Sequence, residues 1–177
     1  MATASDAAIP GNEGYSYTQP AAELVIPYDV TNDRVSFMVV SNVSDRDVST
    51  HWIFWNENCA EEVNFSICLT KNDTVVVDPR NMQALNADKE PIGPKISLDG
   101  SRGVATVIAY EPEDNCAGYP VSNVVADEAI VGAFTFADTN VGYSFGNDAL
   151  GLGTDYGSNP AVQVPEPAEG NSFEYAV

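Results

Sequence analysis

Basic residues are scarce in this sequence. Seven Lys and Arg stand against 26 Asp and Glu, so the 177-residue chain has a formal net charge of −19. Nucleic-acid affinity depends on Lys and Arg that displace counterions from phosphates, and no nucleic-acid partner is therefore expected. The same charge attracts cations to the surface.

Histidine is scarcer still, since His51 is the only one. Strand alternation places Asp47, Ser49 and His51 on one face, where neighbours two apart lie about 6.5 Å from each other and point the same way. That geometry does not make a proton relay, because the base of a catalytic triad must hydrogen-bond both partners. We predict that the protein is not an enzyme.

Long apolar runs and helical periodicity are also missing. No segment approaches the roughly 18 apolar residues that a membrane-spanning helix needs, so no membrane span is expected. Hydrophobic residues nevertheless make up 44% of the sequence and aromatic residues 10%, which is too many for a disordered acidic chain. A prior of about 150 residues per domain predicts a single folded domain.

What the sequence does contain is strand-like alternation. Trp52 and Phe54 alternate with smaller or polar neighbours, and residues 63–69 repeat the pattern. A period of two places successive side chains on opposite faces of a sheet, so one face can be buried. We predict a hairpin of residues 34–41 with 48–55, and a second pairing of 129–137 with 141–145.

Eight or more short strands separated by turn residues predict an all-β fold, a β-sandwich of Ig-like or jelly-roll type, with a closed β-barrel as the alternative. The expected organisation is a flexible N-terminal arm (1–22), one sandwich domain (23–164) and an extended C-terminal tail (165–177).

Three cysteines bear on the compartment. Cys59 and Cys68 are spaced for a short disulfide, which would stabilise the fold by roughly 2.5 to 3 kcal/mol. A structural zinc site is not expected at this pair, because it would need four ligands. Cys116 is then left over, and its pairing with either of the others remains open. A disulfide favours an oxidising compartment, so we predict an extracellular or cell-surface protein, with the periplasm as the alternative.

The segments that carry the strand pattern also carry a resemblance. They are LVIPY at 24–28, VSFMVVSN at 35–42, HWIFW at 51–55, FSICLTKND at 65–73 and VVVD at 75–78. Over residues 23–137 the chain resembles uncharacterised secreted bacterial proteins rich in β-structure. The resemblance implies an exported domain with a short-range cysteine pair, which Cys59 and Cys68 match, and it implies no activity.

Acidic loops suggest a calcium site, because calcium takes six to eight oxygen ligands from flexible carboxylate-rich loops. No EF-hand loop is present. The candidate ligands form three clusters, and two of them are favoured, namely Asp29, Asn32 and Asp33, and Glu111, Glu113 and Asp114; the third is Asp45 and Asp47.

Aromatic residues suggest a second function. Trp52 shares a strand face with Phe54 and is predicted to lie in the core, whereas Trp55 faces the other way. An exposed Trp55 could stack on sugar rings together with Tyr28, Tyr110 and Tyr119. The alternative is that a loop or tail covers Trp55.

The C-terminal residues alternate as a strand does, with Phe173, Tyr175 and Val177 on one face. Pro165, Pro167 and Gly170 separate them from the body, and this spacer favours reach. We predict that the segment adds a strand to a neighbouring subunit; the alternative is that it folds back on its own sheet.

The predicted function is that of a secreted, non-enzymatic structural or adhesive surface protein, a self-assembling subunit of a filament or array. The alternative is a carbohydrate-binding module.

Overall fold

The protein is built from β-strands. A computed structural model describes residues 15–16, 20–85, 91–112, 129–152 and 172–175. Within these ranges no helix is found that could cross a membrane. The strands are β1 (Tyr15–Ser16), β2 (Glu23–Asp29), β3 (Arg34–Asn42), β4 (Val48–Asn56), β5 (Glu61–Leu69), β6 (Thr74–Val77), β7 (Met82–Leu85), β8 (Pro91–Ile96), β9 (Arg102–Tyr110), β10 (Ile130–Asp138), β11 (Tyr143–Asp148), β12 (Leu150–Leu152) and β13 (Ser172–Tyr175).

Two sheets form the layers of a sandwich. The large sheet has seven strands in the order β1-β12-β2-β9-β4-β5-β13, and the small sheet has four in the order β11-β10-β3-β6; β7 and β8 form a separate two-stranded sheet. The predicted all-β sandwich is confirmed. Neither layer closes on itself, so the closed-barrel alternative is wrong.

The core lies between the two layers. Trp52, Phe54 and Phe65 stack on the inner face of the large sheet, with ring centroids 5.8 to 6.4 Å apart. Met38 and Val40 of the small sheet belong to the same buried cluster. The predicted core position of Trp52 is confirmed, because its side chain is fully buried.

One predicted hairpin forms and the other does not. β10 and β11 pair antiparallel, as expected. β3 and β4 lie in different sheets, since β3 pairs with β10 and β6 while β4 pairs with β5 and β9. The prediction of a β3–β4 hairpin was wrong because the intervening turn crosses from one layer to the other. Facing sheets lie about 10 Å apart, a distance that a short turn can bridge as readily as it closes a hairpin.

The side chain of Asn42 connects the β3–β4 crossing to the β5–β6 crossing by hydrogen bonds. Its side chain is 1% exposed. The amide nitrogen Nδ2 donates to the carbonyls of Arg46, Leu69 and Thr70 at 2.7 to 3.1 Å. The amide oxygen accepts from the backbone N–H and the hydroxyl of Ser44. One side chain therefore links the β3–β4 turn to the β5–β6 turn.

The central strand β4 is buried on both faces. Besides the core residues, His51 and Ile53 on the opposite face are each 4% exposed, and so is Ile108 of neighbouring β9. The sequence predicted a sheet with a single buried face. In this part of the large sheet, both faces of β4 are instead covered by other parts of the protein.

The predicted terminal segments are partly incorporated into the sheets. β1 pairs with β12, and the backbone N–H of Ala21 donates to the carbonyl of Ile130 at 2.8 Å. Ala21 and Ala22 are buried. The other residues of the predicted arm, 1–14 and 17–19, lie outside the described residues, and the division into arm, domain and tail stays a prediction.

We expect Asn42→Ala to lower the free energy of unfolding by on the order of 3 kcal/mol, because the loss leaves several buried backbone groups without their partner. Asn81→Ala is the matched control, since Asn81 is exposed. Urea denaturation of both variants measures the difference. Equal stabilities of the two variants would show that the Asn42 side chain does not hold the crossings together.

Candidate functional site

A polar groove opens at one end of the sandwich, where three turns meet. They are the β2–β3 turn, the β4–β5 turn and the turn before β9. The groove has a volume of about 790 Å³. Amide, hydroxyl and carboxylate side chains line much of it, including Thr31, Asn56, Asn58, Glu62, Ser97 and Ser101.

The hydroxyl of Tyr28 reaches this end of the molecule from the core. It donates to Glu62 Oε2 at 3.2 Å, and the hydroxyl of Ser101 donates to the same oxygen at 2.7 Å. Burial, with a further contribution from the Glu62 carboxylate, raises the pKa of Tyr28 to about 12 although a hydrogen bond with Ser101 opposes the change. Tyr28 therefore stays protonated at neutral pH and acts as a hydrogen-bond donor.

Three of the chain's seven basic residues lie at this end, and each contacts a carboxylate. The pairs are Arg34 with Asp29 at 2.7 Å, Arg80 with Asp99 at 3.1 Å, and Arg102 with Glu57. Because these guanidinium groups are already neutralised, the part of the groove that the structure describes does not present an open anion site. Its amides and hydroxyls suit a neutral polar ligand.

Asp29 supports its own turn. Its Oδ1 accepts the backbone N–H and the hydroxyl of Thr31 at 3.0 and 2.6 Å, and Oδ2 accepts from Arg34. Burial alone would raise the pKa of Asp29, but the Thr31 hydrogen bonds and Arg34 lower it. Both carboxylate oxygens are therefore engaged by donors, which argues against Asp29 as a ligand in the predicted calcium cluster with Asn32 and Asp33.

The second predicted metal cluster is described only at its first residue. Glu111 lies 3.7 Å from Arg46 across an exposed ion pair. Glu113 and Asp114 lie outside the described residues. Across the ranges that are described, no group of three or more His, Cys, Asp or Glu side chains could hold a metal ion. Calcium binding stays a prediction.

One member of the predicted aromatic platform, Tyr28, lies in the core, and the sugar-binding role of the others stays a prediction. Tyr28 is 2% exposed and packs edge-on against Phe54 in the core, so it cannot stack on a ligand. Trp55 is half-buried on the opposite face of the large sheet, where its indole N–H donates to the hydroxyl of Thr106 at 3.2 Å. Tyr110 packs edge-on against His51. Tyr119 lies outside the described residues.

His51 hydrogen-bonds a residue on the neighbouring strand. Its Nδ1 lies 3.0 Å from the hydroxyl of Ser66, which stands directly opposite on β5. Both residues are buried. Burial lowers the pKa of His51, although the Glu61 carboxylate opposes the change. A search restricted to neighbours along β4 misses this pair, because only the strand register reveals it.

The cysteines do not pair as predicted. Cys59 is a free, exposed thiol in the β4–β5 turn, so the Cys59–Cys68 disulfide is wrong. The turn gives Cys59 a left-handed backbone, with φ of 58°. Cys68 is disulfide-bonded. Cys116, the third cysteine of the sequence, lies outside the described residues.

The C-terminal strand is present. β13 lies at the edge of the large sheet and pairs parallel with β5, so that Phe173 stands opposite Phe65 and Tyr175 opposite Ile67. Val177 lies outside the described residues. The predicted strand character is confirmed, and the segment folds back on its own sheet in this single chain.

The β10–β11 hairpin carries an aromatic face that was not predicted from the sequence. Phe136 stands opposite Phe145, and the Phe134 ring lies 5.0 Å from Phe136 and 6.1 Å from Phe145. Tyr143 lies on the same face. The alternation of Tyr143 and Phe145 in a strand next to Phe134 and Phe136 was the available signal.

Comparisons with protein families, with curated proteins and with solved structures give no match for this chain.

The buried His51 predicts a pH dependence. Its folded-state pKa is below the ordinary value of 6.5, so the unfolded chain binds the proton more readily. The stability contribution is complete above pH 6.5 and is lost as pH falls from there toward the folded-state pKa. Every tenfold difference in proton affinity between the folded and the unfolded state corresponds to about 1.4 kcal/mol in the free energy of unfolding.

Denaturation curves of the wild type and His51→Gln between pH 8 and 5 measure this contribution by their difference, since both share all other titrating groups. The wild type should lose more stability below pH 6.5 than the variant. A wild type that gains stability relative to the variant in that range would contradict the buried neutral histidine.

The cysteine arrangement predicts which thiol reacts. Maleimide added to the folded, unreduced protein should label Cys59 and leave Cys68 unlabelled, because Cys59 is exposed and free and Cys68 is disulfide-bonded. Peptide mapping identifies the labelled residues. Cys68 should stay unlabelled after denaturation without reductant and react once reductant is added. Label on Cys68 before reduction would show that it is a free thiol.

Proposed function

We propose that the protein is a secreted, non-enzymatic structural or adhesive surface component whose subunits assemble by exchange of the C-terminal strand. The observation that carries the proposal is the parallel pairing of β13 with the outer edge of β5. An added strand satisfies the open donors and acceptors of a sheet edge, and this is a recurrent mode of protein association.

The connection to β13 supports exchange between copies. β12 and β13 lie five strand spacings apart in the large sheet, a distance of about 24 Å. The 19 residues between Leu152 and Ser172 can span up to about 60 Å. A segment that must already cross the sheet to reach β5 has the length to reach the same edge on a neighbour.

The pairing of β13 with β5 does not depend on a hairpin turn, although β13 also lies next to β7. β13 contacts β5 through four residues, and no hairpin turn connects the two strands. The bonds made in the chain's own sheet are therefore the same as those made in a neighbour's sheet. Since the contacts are equivalent, protein concentration determines which arrangement prevails, as in domain swapping.

Two observations support the other parts of the proposal. The disulfide at Cys68 is typical of an oxidising compartment and so supports secretion. The His51–Ser66 pair is buried on a sheet face, and this favours a structural role for the only histidine over a catalytic one.

Deletion of residues 166–177 tests the strand exchange. We expect oligomers of the full chain to fall to smaller species while the melting temperature changes little, because β13 is a short edge strand. Light scattering after gel filtration and thermal denaturation measure the two effects. The full-length double substitution Phe173→Ser/Tyr175→Ser should act in the same direction, and Glu174→Ser, which changes the alternate position of the strand, is the control.

A mixing experiment separates exchange from folding back. The shortened chain keeps a vacant β5 edge, so labelled shortened chain should form a complex with unlabelled full-length chain. If the two remain separate at all concentrations, β13 serves its own sheet only. If the shortened chain unfolds, β13 belongs to the core of its own subunit.

A further inference from the structure

The β10–β11 hairpin presents an aromatic face that the large sheet does not cover. Phe134 packs against the core, but farther along the hairpin Phe145 is 45% exposed and Tyr143 is 58% exposed. These rings share the face that elsewhere in the small sheet points to the core, as the register of Phe134 with Met38 shows. The large sheet thus stops short of β11.

β11 is also a free sheet edge. It lies at the end of the small sheet, all six of its residues are exposed, and no described strand pairs with its outer side. Every second residue of such a strand directs unpaired backbone groups outward.

The other sheet edges are less suited to pairing. β1 has two residues and β13 has four. β6 has four residues and stands between Asp73 and Asp78. β8 is as long as β11 but contains Pro91 and Pro94, which lack the N–H group that a ladder requires. Among the described edge strands longer than four residues, β11 is therefore the one without proline, and its single charged residue, Asp148, is the last of the strand.

The low charge of the β10–β11 hairpin favours a second copy of the chain as the partner that docks on β11. A chain with a net charge of −19 repels a copy of itself over most of its surface. Residues 129–152 contain only two charged side chains, Asp138 and Asp148, whereas 19% of the whole chain is charged. Asp138 lies 3.7 Å from Arg34, which offsets its charge. This hairpin is a surface that a like-charged copy can approach.

We propose that β11 is a self-association surface, on which a second copy of the chain docks its own β11 antiparallel about a two-fold axis. The two small sheets join into one sheet of eight strands, and Tyr143 and Phe145 of both copies lie on one continuous face. Such a contact is isologous, because the same surface serves both subunits. It goes beyond the proposed strand exchange, since it involves a different sheet and does not use β13.

Sedimentation equilibrium of the full-length protein tests the proposal. In the full-length variant Phe173→Ser/Tyr175→Ser, in which strand exchange is weakened, we expect a monomer–dimer equilibrium that strengthens as salt rises to about 1 M, where the Debye length is ~3 Å and the repulsion between the acidic copies is screened. Phe145→Glu should raise the dimer dissociation constant by about tenfold or more, because it places like charges on both sides of the contact. Tyr143→Glu should do the same from a more exposed position that is less coupled to folding.

The matched control is Val76→Glu, which adds the same charge at a 60% exposed position on the opposite edge of the small sheet. It should leave the dimer unchanged. The variant Phe173→Ser/Tyr175→Ser should also keep the dimer, which separates this contact from strand exchange.

Three results would overturn the proposal. The first is a protein that stays monomeric in high salt. The second is a dimer that tolerates Tyr143→Glu and Phe145→Glu in folded protein. The third is a monomer whose saturable binding on a glycan array is lost in the same two variants, which would make the face a sugar platform.

Discussion

The two layers of this sandwich depend on how the chain crosses between them. At Asn42 one buried amide bonds to both the β3–β4 and the β5–β6 crossings, five hydrogen bonds in all. A buried amide with these partners costs little, whereas its loss would remove a donor from the carbonyls of Leu69 and Thr70 at a largely buried site. The crossings place β3 and β6 side by side in one layer, with β4 and β5 in the other. The sheet order therefore follows from a polar contact as much as from the apolar core.

Local alternation predicted strands well, because the side-chain period of a strand is a property of the chain itself. It placed Trp52 in the core and paired β10 with β11, and both are confirmed. It could not distinguish a hairpin from a crossing between layers, since both follow from two amphipathic strands and a polar turn. It also could not show that β4 is covered on both faces, because burial on the second face depends on other parts of the chain.

The candidate sites were harder to predict for the same reason. A carboxylate or an aromatic residue has a function only in relation to neighbours that are distant in sequence. Asp29 has its oxygens engaged by Thr31 and Arg34, and Tyr28 lies in the core. The short spacing of Cys59 and Cys68 suggested a bridge, but β4 and β5 place Cys59 in an exposed turn and Cys68 at the far end of its strand. Sequence spacing measures loop length, whereas disulfide formation depends on the distance between Cβ atoms.

The two proposed contacts differ in symmetry, and this difference determines what they could build together. Donation of β13 to the β5 edge of a neighbour is heterologous, and a heterologous contact that does not close generates an open chain of subunits. Pairing of β11 with β11 is isologous and ends with two copies. The contacts lie in different sheets, because β5 belongs to the large sheet and β11 to the small one. A subunit can therefore make the β13–β5 contact and the β11–β11 contact at the same time. The strand exchange would build rows of subunits, and the β11 edges would join two such rows, parallel or antiparallel, side by side. In such an assembly the acidic turns stay at the surface, while the charge-poor hairpin is buried where the rows meet.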